Sequence, residues 1–317
     1  MALCPWLFAL GSLPSYNAVG MNVFSASLLP DMSALPWPVP YIIVGVFGAI
    51  IGSFLNVVVH RLPREESVVL PHSRCTSCGV AIAFYDNVPV LSYLILRGRC
   101  RSCRTRFSAR YPAVELLTAL LYVAVIWHDG LTPALLFDLV FVSALVALIF
   151  IDAEHMLLPN AITYPGIVFA LVARVAIPYF TGTAYFDDLP SLMNGILHGM
   201  PVWASSLVGA LIGGLIGGGS LWLMGWTWEK LRGIEAMGLG DVKMMFMVGV
   251  YFGWRLTVLT IFLGVLSGSI IGIALMLRQG KRDMQMLLPF GVFLGIGAIV
   301  ALLVGSHIVQ WYAGQFR

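Results

Sequence analysis

The chain has 317 residues, of which 59% are hydrophobic and only 10% are charged. A soluble domain carries about 25% charged residues, so this composition excludes an ordinary soluble protein and indicates a polytopic membrane protein. The formal net charge of +3 says little by itself, because the positions of the basic residues carry the topological signal.

Apolar windows of about 17–25 residues are long enough to cross a bilayer as helices. The sequence predicts eight, at about residues 40–59, 111–127, 133–151, 161–179, 203–226, 241–254, 256–277 and 287–309. The sixth window is short and the seventh follows almost directly, which predicts a tight helical hairpin. We therefore predict an all-α polytopic membrane protein with about eight transmembrane helices.

The same windows predict five regions along the chain. They are an N-terminal extension (1–39) on the extracytoplasmic side, a first transmembrane helix (40–59), a cytoplasmic loop domain (60–110), a seven-helix membrane core (111–309) and a C-terminal tail (310–317). The extension begins with an apolar stretch that lacks the basic residues of a secretory signal. It is either a true extracytoplasmic segment or an artefact of start-codon choice, and the sequence does not decide between them.

Lysine and arginine accumulate on the cytoplasmic loops of membrane proteins. If residue 60 is cytoplasmic, 15 of the 18 basic residues fall on the inside, nine of them between Arg61 and Arg110. Only Arg174, Arg255 and Arg317 then lie outside. The opposite orientation inverts this ratio, so the sequence predicts that loop 60–110 is cytoplasmic.

Two Cys-x-x-Cys pairs lie in this loop, Cys75 with Cys78 and Cys100 with Cys103. The two-residue spacing lets both thiolates of a pair reach one ion, and two pairs complete a closed tetrahedral zinc site. We predict a structural Zn²⁺ ion in a small cytoplasmic zinc-ribbon-like insertion between the first two transmembrane helices. Gly79 suits the turn after the first pair, and the apolar residues 88–96 are expected to form a strand or hairpin.

Redox-active pairs or two disulfides are the alternative chemistries for these cysteines. A cytoplasmic location disfavours stable disulfides, and a redox pair does not need a second copy. Seven arginines in or beside the loop are explained by topology and by contact with anionic lipid head groups. The lipid bilayer is therefore a predicted partner, and nucleic acid is not.

Two aspartates stand at predicted helix ends. Asp152 closes the third window in "IDAEHMLLP", and Asp241 begins the sixth in "GLGDVK". Two crossings separate them, so both lie on the same membrane face in either orientation. Two carboxylates brought together at a partly dehydrated surface do not both ionise readily. One keeps a proton while the other activates a water molecule, as in aspartic proteases.

Each aspartate also has a simpler interpretation. Asp241 is a favoured residue type for a helix N-cap, and Asp152 is typical of a solvated helix end. The neighbouring glycines allow an extended peptide to approach the backbone beside Asp241. Five neighbours are predicted to bind substrate or support the active site: Gly238, Gly240, Lys243, Glu154 and His155.

Small residues recur at four-residue spacing in several predicted helices, a pattern that lets helices approach closely. They are Gly48 and Gly52, then Gly209, Gly213 and Gly217, then Gly264, Gly268 and Gly272, and finally Gly291 and Gly295. Asn56, one turn past Gly52, is expected to hydrogen-bond across that helix contact. We interpret the glycines, and the methionines at 244, 245 and 247, as packing residues.

Taken together, these motifs resemble the type IV prepilin peptidases, a family of bifunctional leader peptidases and N-methyltransferases. The matching stretches are "GSFLNVVVHRLP" (52–63), the paired Cys-x-x-Cys motifs, "LRGRCRSC" (96–103), "RYPAVELLTALL" (110–121), "IDAEHMLLP" (151–159), "MGLGDVK" (237–243) and "LPFGVFLG" (288–295). The short GxGD motif alone also resembles presenilin-like intramembrane proteases, whereas the joint match is specific. Asn160 departs from the family, which usually has Asp there, and "SRCTSC" stands where it often has "SHCPxC".

The resemblance implies that Asp152 and Asp241 are the catalytic aspartates. It also implies cleavage of prepilin or pseudopilin leaders after a glycine, at the cytoplasmic face of the bacterial inner membrane. The new N-terminal residue would then be methylated, with S-adenosylmethionine as the methyl donor. No residue set in the sequence identifies the S-adenosylmethionine site; Glu65 and Glu66, in the first cytoplasmic loop, are the candidates.

Two functions from other classes compete with this one. A transporter with a regulatory zinc module is disfavoured because no repeated halves are evident and the acidic pair lies at the surface. A membrane thiol oxidoreductase would use the Cys-x-x-Cys pairs directly. Serine substitution of the four cysteines distinguishes that chemistry from a structural zinc site.

Overall fold

The structure is a computed structural model that describes residues 36, 38–70, 73–75, 77–182, 199–233, 238–279 and 288–315. Within these ranges the chain is helical and has only two isolated β-bridges. The α-helices, in chain order, are α1 (Val39–Arg61), α2 (Leu91–Ile95), α3 (Arg110–Asp129), α4 (Ala134–His155), α5 (Asn160–Thr181), α6 (Val202–Arg232), α7 (Leu239–Phe252), α8 (Trp254–Gln279) and α9 (Phe290–Gly314). Two 3-10 helices lie at Leu62–Arg64 and Phe84–Asn87. Most of the predicted N-terminal extension, residues 1–35 and Trp37, falls outside the described chain.

Each of the eight predicted apolar windows is a helix, which confirms the all-α membrane fold. Seven of these helices are long and apolar enough to cross a membrane by themselves. The eighth, α7, has 14 residues. At 1.5 Å per residue it is about 21 Å long, which is shorter than the bilayer's hydrocarbon core of about 30 Å.

The sixth and seventh windows are two separate helices, α7 and α8, with a single residue between them. Gly253 ends α7 with a φ of +78°, a backbone conformation that L side chains rarely adopt, and α8 begins at the next residue. One glycine therefore separates the two helices without a longer loop.

The short helix α7 is held by close backbone contact with α6. A methyl group added to Gly213 on α6 would lie 2.1 Å from the carbonyl oxygen of Gly249 on α7, and the reverse substitution meets the same obstacle. Gly217 faces α7 in the same way, at Met245. The glycine stripe is therefore a packing surface, as predicted, and Met244, Met245 and Met247 are fully buried within the bundle.

A buried polar contact joins α4 and α7 away from the helix ends that carry the two aspartates of interest. The hydroxyl of Tyr251 donates a hydrogen bond of 2.8 Å to Asp138, which is fully buried. The Tyr251 ring also stacks on Phe141, with ring centroids 4.0 Å apart. Asp138 precedes Asp152 by 14 residues on α4, about 21 Å along the helix axis, so it serves packing between these helices.

The helices α1 and α3 form a second tightly packed pair. A methyl group on Gly52 would lie 2.7 Å from the backbone of Glu115, and one on Gly48 would meet Tyr122. The amide Nδ2 of Asn56 donates a hydrogen bond of 2.9 Å to the carbonyl oxygen of Tyr111, which confirms the predicted contact across this pair.

We expect Gly213→Ala to destabilise the bundle by about 1–3 kcal/mol, because the added methyl group forces α6 and α7 apart. Gly219→Ala is the matched control, since a methyl group there meets nothing within 4 Å and alanine favours the helix. The measurement is the thermal unfolding of the detergent-solubilised variants. Equal melting temperatures for both variants would contradict this view of the α6–α7 contact.

Candidate active site and cysteine cluster

Asp152 lies in the last turn of α4, and only 5% of its surface is exposed. Its Oδ2 atom accepts a hydrogen bond of 3.0 Å from the backbone N–H of Val292, in the first turn of α9. The first turn of a helix has unpaired N–H groups and a partial positive charge, so it stabilises a carboxylate. The start of α9 thus fixes the position of Asp152.

Gly291 is the residue that makes this contact sterically feasible. A methyl group on Gly291 would lie 2.9 Å from Oδ2 of Asp152 and 3.1 Å from Leu158. Gly291 was predicted as a packing glycine and as part of the motif "LPFGVFLG", but its role beside Asp152 was missed. The available signal was a glycine two residues after Pro289, at the beginning of an apolar window.

Asp241 is the third residue of α7, and it does not cap that helix. The N-cap residue is Gly238, and no side chain makes a cap hydrogen bond there. The simpler interpretation of Asp241 as an N-cap is therefore wrong. Its carboxyl group is partly buried and lies within electrostatic reach of Asp152.

Leu158 connects the surroundings of the two aspartates. It packs beside Gly291, next to Asp152, and its side chain would meet a methyl group on Gly240 at 3.0 Å. The structure thus brings both carboxylates to one end of the bundle, at the junction of α4, α7 and α9. Gly238 is exposed, and a methyl group there would meet nothing closer than 3.9 Å, so the backbone before Asp241 is open on one side.

Glu154 and His155 lie at the end of α4, directly after the turn that carries Asp152. Glu154 forms an ion pair with Arg110 at the start of α3, and the His155 Nε2 atom lies 4.0 Å from Glu154. Arg110 and Glu154 also line a cavity of about 500 Å³, whose other walls include His60, Arg64 and Ala153. Two of its lining residues, Ala153 and Glu154, directly follow Asp152 in the sequence.

Lys243, the remaining predicted support residue, contacts α5. Its Nζ atom donates a hydrogen bond of 2.9 Å to Oδ1 of Asn160, and it lies 5.1 Å from the centroid of the Tyr164 ring. The position where this sequence departs from the family pattern is therefore the partner of Lys243. A neutral amide takes the place of a carboxylate in that contact.

The four cysteines of the loop meet in one cluster. One sulfur atom from each of Cys75, Cys78, Cys100 and Cys103 lies within 4.8 Å of all the others, and Cys75 and Cys103 are 3.7 Å apart. Sulfur atoms at about 2.3 Å from a tetrahedral Zn²⁺ are roughly 3.8 Å apart, so the donor set and its spacing fit this ion. This loop domain, residues 73–107, is called the cysteine module below.

The two halves of the cysteine module repeat the same backbone turn. In the first half, the Gly79 N–H donates to the Cys75 carbonyl at 2.9 Å, and the Cys75 N–H donates to Val80 at 2.9 Å. The second half repeats both bonds 25 residues later, between Cys100, Arg104 and Thr105. Each turn needs a positive φ after the second cysteine, +72° at Gly79 as predicted and +61° at Arg104.

The expectation of a strand or hairpin at residues 88–96 is wrong. The segment is a turn followed by the short helix α2, and the Ser92 hydroxyl accepts a hydrogen bond from the Val88 N–H and donates one to the Tyr85 carbonyl. Beside it, Arg101 donates two hydrogen bonds to Asp86, at 2.7 and 2.5 Å, and these bonds, together with the charge of Arg101, lower the pKa of that carboxyl group. Side-chain bonds thus replace strand pairing between the two cysteine turns.

Glu65 and Glu66, the predicted methyltransferase residues, lie just beyond the 3-10 helix that follows α1. Both are exposed, and Glu65 adopts a left-handed conformation with a φ of +58°. Neither residue lines the 500 Å³ cavity or the second cavity described below. Their predicted role stays a prediction.

Two family descriptions match the chain, one over each half. "Bacterial Peptidase A24 N-terminal domain" matches residues 46–129, and "Type IV leader peptidase family" matches residues 139–273. The first match covers α1, the cysteine module and α3. The second covers α4 to α8, and so includes Asp152 and Asp241.

Curated relatives match over most of the chain. A prepilin leader peptidase/N-methyltransferase of Aeromonas hydrophila is 36% identical over 92% of this chain and 99% of its own length. A protein of the same name from Pseudomonas aeruginosa is 36% identical over 84% of this chain and 91% of its own length. No solved structure matches the chain. With identity and coverage of this extent, and both family descriptions matched in order, the chain belongs to the type IV leader peptidase family.

Proposed function

We propose that this protein is a membrane aspartic endopeptidase that removes the basic leader of prepilins and pseudopilins, and that it methylates the new N-terminal residue. The observation that carries the proposal is the pair of carboxylates, Asp152 and Asp241, at one end of a helix bundle in a leader peptidase family. The curated relatives bear both activities in their names, which supports methyl transfer as the second activity.

The active site faces the cytoplasm in this proposal. The paired aspartates lie at the bundle end that also bears the cysteine module, and the predicted topology assigns 15 of the 18 basic residues to that side. Basic residues accumulate on the cytoplasmic side of inner-membrane proteins. A precursor with a basic leader in the cytoplasm and an apolar stem in the bilayer presents its scissile bond at this surface.

Hydrolysis uses the aspartates as a pair that shares one proton. The ionised carboxylate removes a proton from a water molecule, and the water oxygen forms a bond to the carbonyl carbon of the scissile peptide. The protonated carboxyl group gives its proton to the carbonyl oxygen. When the tetrahedral intermediate collapses, the carbon–nitrogen bond breaks and the amine leaves with a proton from the pair. The N–H of Val292 keeps Asp152 in place through these steps.

The neighbouring residues position the substrate and the dyad. The exposed backbone at Gly238 accepts an extended peptide beside Asp241, and Gly240 lets the start of α7 pack closely against Leu158. Glu154 and His155 support the α4 end through Arg110, and Lys243 holds α7 against α5 through Asn160. These roles follow from contacts within the first or last turn of the helices that carry the aspartates.

The cysteine module holds a structural Zn²⁺ ion in this proposal. Four thiolates close the coordination shell, so the ion supplies folding energy and leaves no open position for catalysis. The two cysteine turns have the same backbone hydrogen bonds, and they bring all four sulfur atoms together. Two independent redox pairs would not need this arrangement. S-adenosylmethionine supplies the transferable methyl group.

The decisive experiment incubates the purified enzyme with a prepilin peptide, with and without S-adenosylmethionine, and determines the product masses. We expect loss of the leader in both samples and the mass of one added methyl group only when the donor is present. Asp152→Ala, Asp241→Ala and the isosteric Asp→Asn variants should abolish cleavage and remain folded, because each removes one half of the proton-sharing pair. Glu229→Gln, an exposed carboxyl change on α6, is the control. Full cleavage by either aspartate variant would refute the dyad.

Gly291→Ala should lower kcat for leader cleavage by about tenfold or more, since the methyl group displaces the Asp152 carboxylate and small misplacements of catalytic groups are costly. KM should change little because the substrate backbone binds at α7. Gly314→Ala, at the open end of the same helix, is the control. Steady-state kinetics of both variants test the role of α9, and an unchanged kcat for Gly291→Ala would contradict it.

Serine substitution of all four module cysteines should abolish zinc binding and destabilise the protein. Metal analysis of the unaltered enzyme should give about one zinc ion per chain, as four thiolates in a single cluster require. Thermal unfolding before and after chelation measures the contribution of the ion. A stable quadruple variant that has lost only a redox activity would support the thiol oxidoreductase alternative.

A further inference from the structure

A second cavity, of about 400 Å³, lies between the cysteine module and the helix pair α1–α3. Its walls combine aromatic rings with polar side chains that are deeply buried. Cavities of this size bind small organic ligands, which they orient through a few convergent polar groups. The cavity borders the proposed zinc site at Cys100, but neither that closed site nor the peptidase chemistry occupies the space.

Asn56 is one of the residues that line this cavity, and its side chain carries a buried acceptor that has no partner among the described residues. The residue is 4% exposed, and its Nδ2 atom donates to the Tyr111 carbonyl at 2.9 Å. That bond fixes the orientation of the amide, because a flipped amide would set two acceptors against each other. Within the described chain, Oδ1 is buried and no donor reaches it. A buried acceptor without a partner is costly, so a ligand with an N–H or O–H group gains from binding here.

Glu115 contributes a carboxylate to the same wall. It is 9% exposed, its Oε2 atom accepts a hydrogen bond of 2.7 Å from the Val90 N–H, and the Ser53 hydroxyl lies within reach. Val90 has a φ of +60°, which is rare for a β-branched residue, so the bond to Glu115 holds the loop in a strained conformation. An ionised Glu115 carboxylate gains from a positively charged group on the ligand, which offsets the cost of burying its charge.

Aromatic rings complete the cavity. Tyr85, Tyr93 and Phe107 come from the cysteine module and Tyr111 comes from α3. Flat rings of this kind stack on heteroaromatic ligands such as a purine. The lining therefore suits a molecule with a purine, several hydrogen-bond donors and a positive charge, of a size that fills about 400 Å³.

The two cavities share part of their walls, His60 and Tyr111. The first cavity reaches Ala153 and Glu154, the residues directly after Asp152. An amine that is released at the aspartate pair is thus one cavity away from the wall formed by Asn56 and Glu115. A methyl donor in the second cavity would therefore lie next to the cavity that borders the last turn of α4.

We propose that the cavity between the cysteine module and the α1–α3 pair is the S-adenosylmethionine site of this protein. The inference rests on the proposed methyl transfer and adds its location. Asn56 and Glu115 bind the polar groups of the methyl donor, and the aromatic rings bind its purine. The deprotonated amine of the cleaved substrate forms a bond to the methyl carbon, and the carbon–sulfur bond breaks with its electron pair going to sulfur. The proton that the amine sheds passes to water.

The test measures the Kd of radiolabelled S-adenosylmethionine for the full-length enzyme in detergent, by equilibrium dialysis. Glu115→Gln keeps the acceptor for the Val90 N–H but removes the charge, and Asn56→Ala removes the buried acceptor. We expect each variant to raise Kd by about tenfold or more, the loss typical of a hydrogen bond to a charged or buried group. Leader cleavage should continue in both variants, which shows that they are folded.

Thr118→Val is the matched control, because Thr118 is fully buried on α3 in the same helix pair but does not line the cavity. Its Kd should equal that of the unaltered enzyme. Ultraviolet cross-linking of the labelled donor to the unaltered enzyme gives a second readout, with label expected on peptides from α1, α3 or residues 73–107.

Binding of the donor by the unaltered enzyme with unchanged Kd in both cavity variants would overturn the site, as would cross-linking elsewhere in the chain. An unaltered enzyme that cleaves the peptide but neither binds the donor nor methylates the product would overturn the proposed methyl transfer itself. The two failures are therefore distinguishable.

Discussion

A helix of 14 residues is too short to span a bilayer, and the position of Asp241 depends on how the bundle holds that helix. Backbone contact with α6 holds α7 in place, because Gly213 on α6 and Gly249 on α7 leave no room for a methyl group between them. In a membrane, helices associate through such close packing, because lipid tails provide no hydrophobic driving force between them. Because other helices surround its ends, α7 can begin and end within the bundle. The same helix ends would be very costly if they were exposed to lipid.

The position of Asp152 depends on a contact of a different kind. The start of α9 supplies the Val292 N–H to the carboxylate, and Gly291 allows the approach. Two different interactions thus place the two aspartates. Close backbone packing positions α7 with Asp241, and a hydrogen bond to the carboxylate positions Asp152 on α4. Leu158 packs beside Gly291 near Asp152 and beside Gly240 near Asp241, so a disturbance of either contact reaches the surroundings of both aspartates.

Much of this arrangement was predictable from the sequence, and the exceptions have a common cause. Hydrophobic windows predicted every long helix, and the parity of crossings predicted that Asp152 and Asp241 share one membrane face. The cysteine spacing predicted their cluster. The contact of Asp152 with Val292 joins residues 140 positions apart, and periodicity contains no information about such pairs. The same holds for Arg110 with Glu154, and for the bond from Val90 to Glu115 that replaced the expected strand.

The fold separates the two proposed chemistries and also connects them. The aspartates belong to α4 and α7, within the part of the chain that matches the leader peptidase family, whereas the second cavity belongs to the preceding part with the cysteine module. The ion pair of Arg110 with Glu154 bridges these parts at the cavity beside Asp152. Cleavage creates the amine that methyl transfer consumes, so the order of the reactions requires a path in one direction only. The two cavities share His60 and Tyr111 in their walls, so the proposed donor site neighbours the cavity beside the end of α4, and the fold of the cysteine module determines the shape of that donor site.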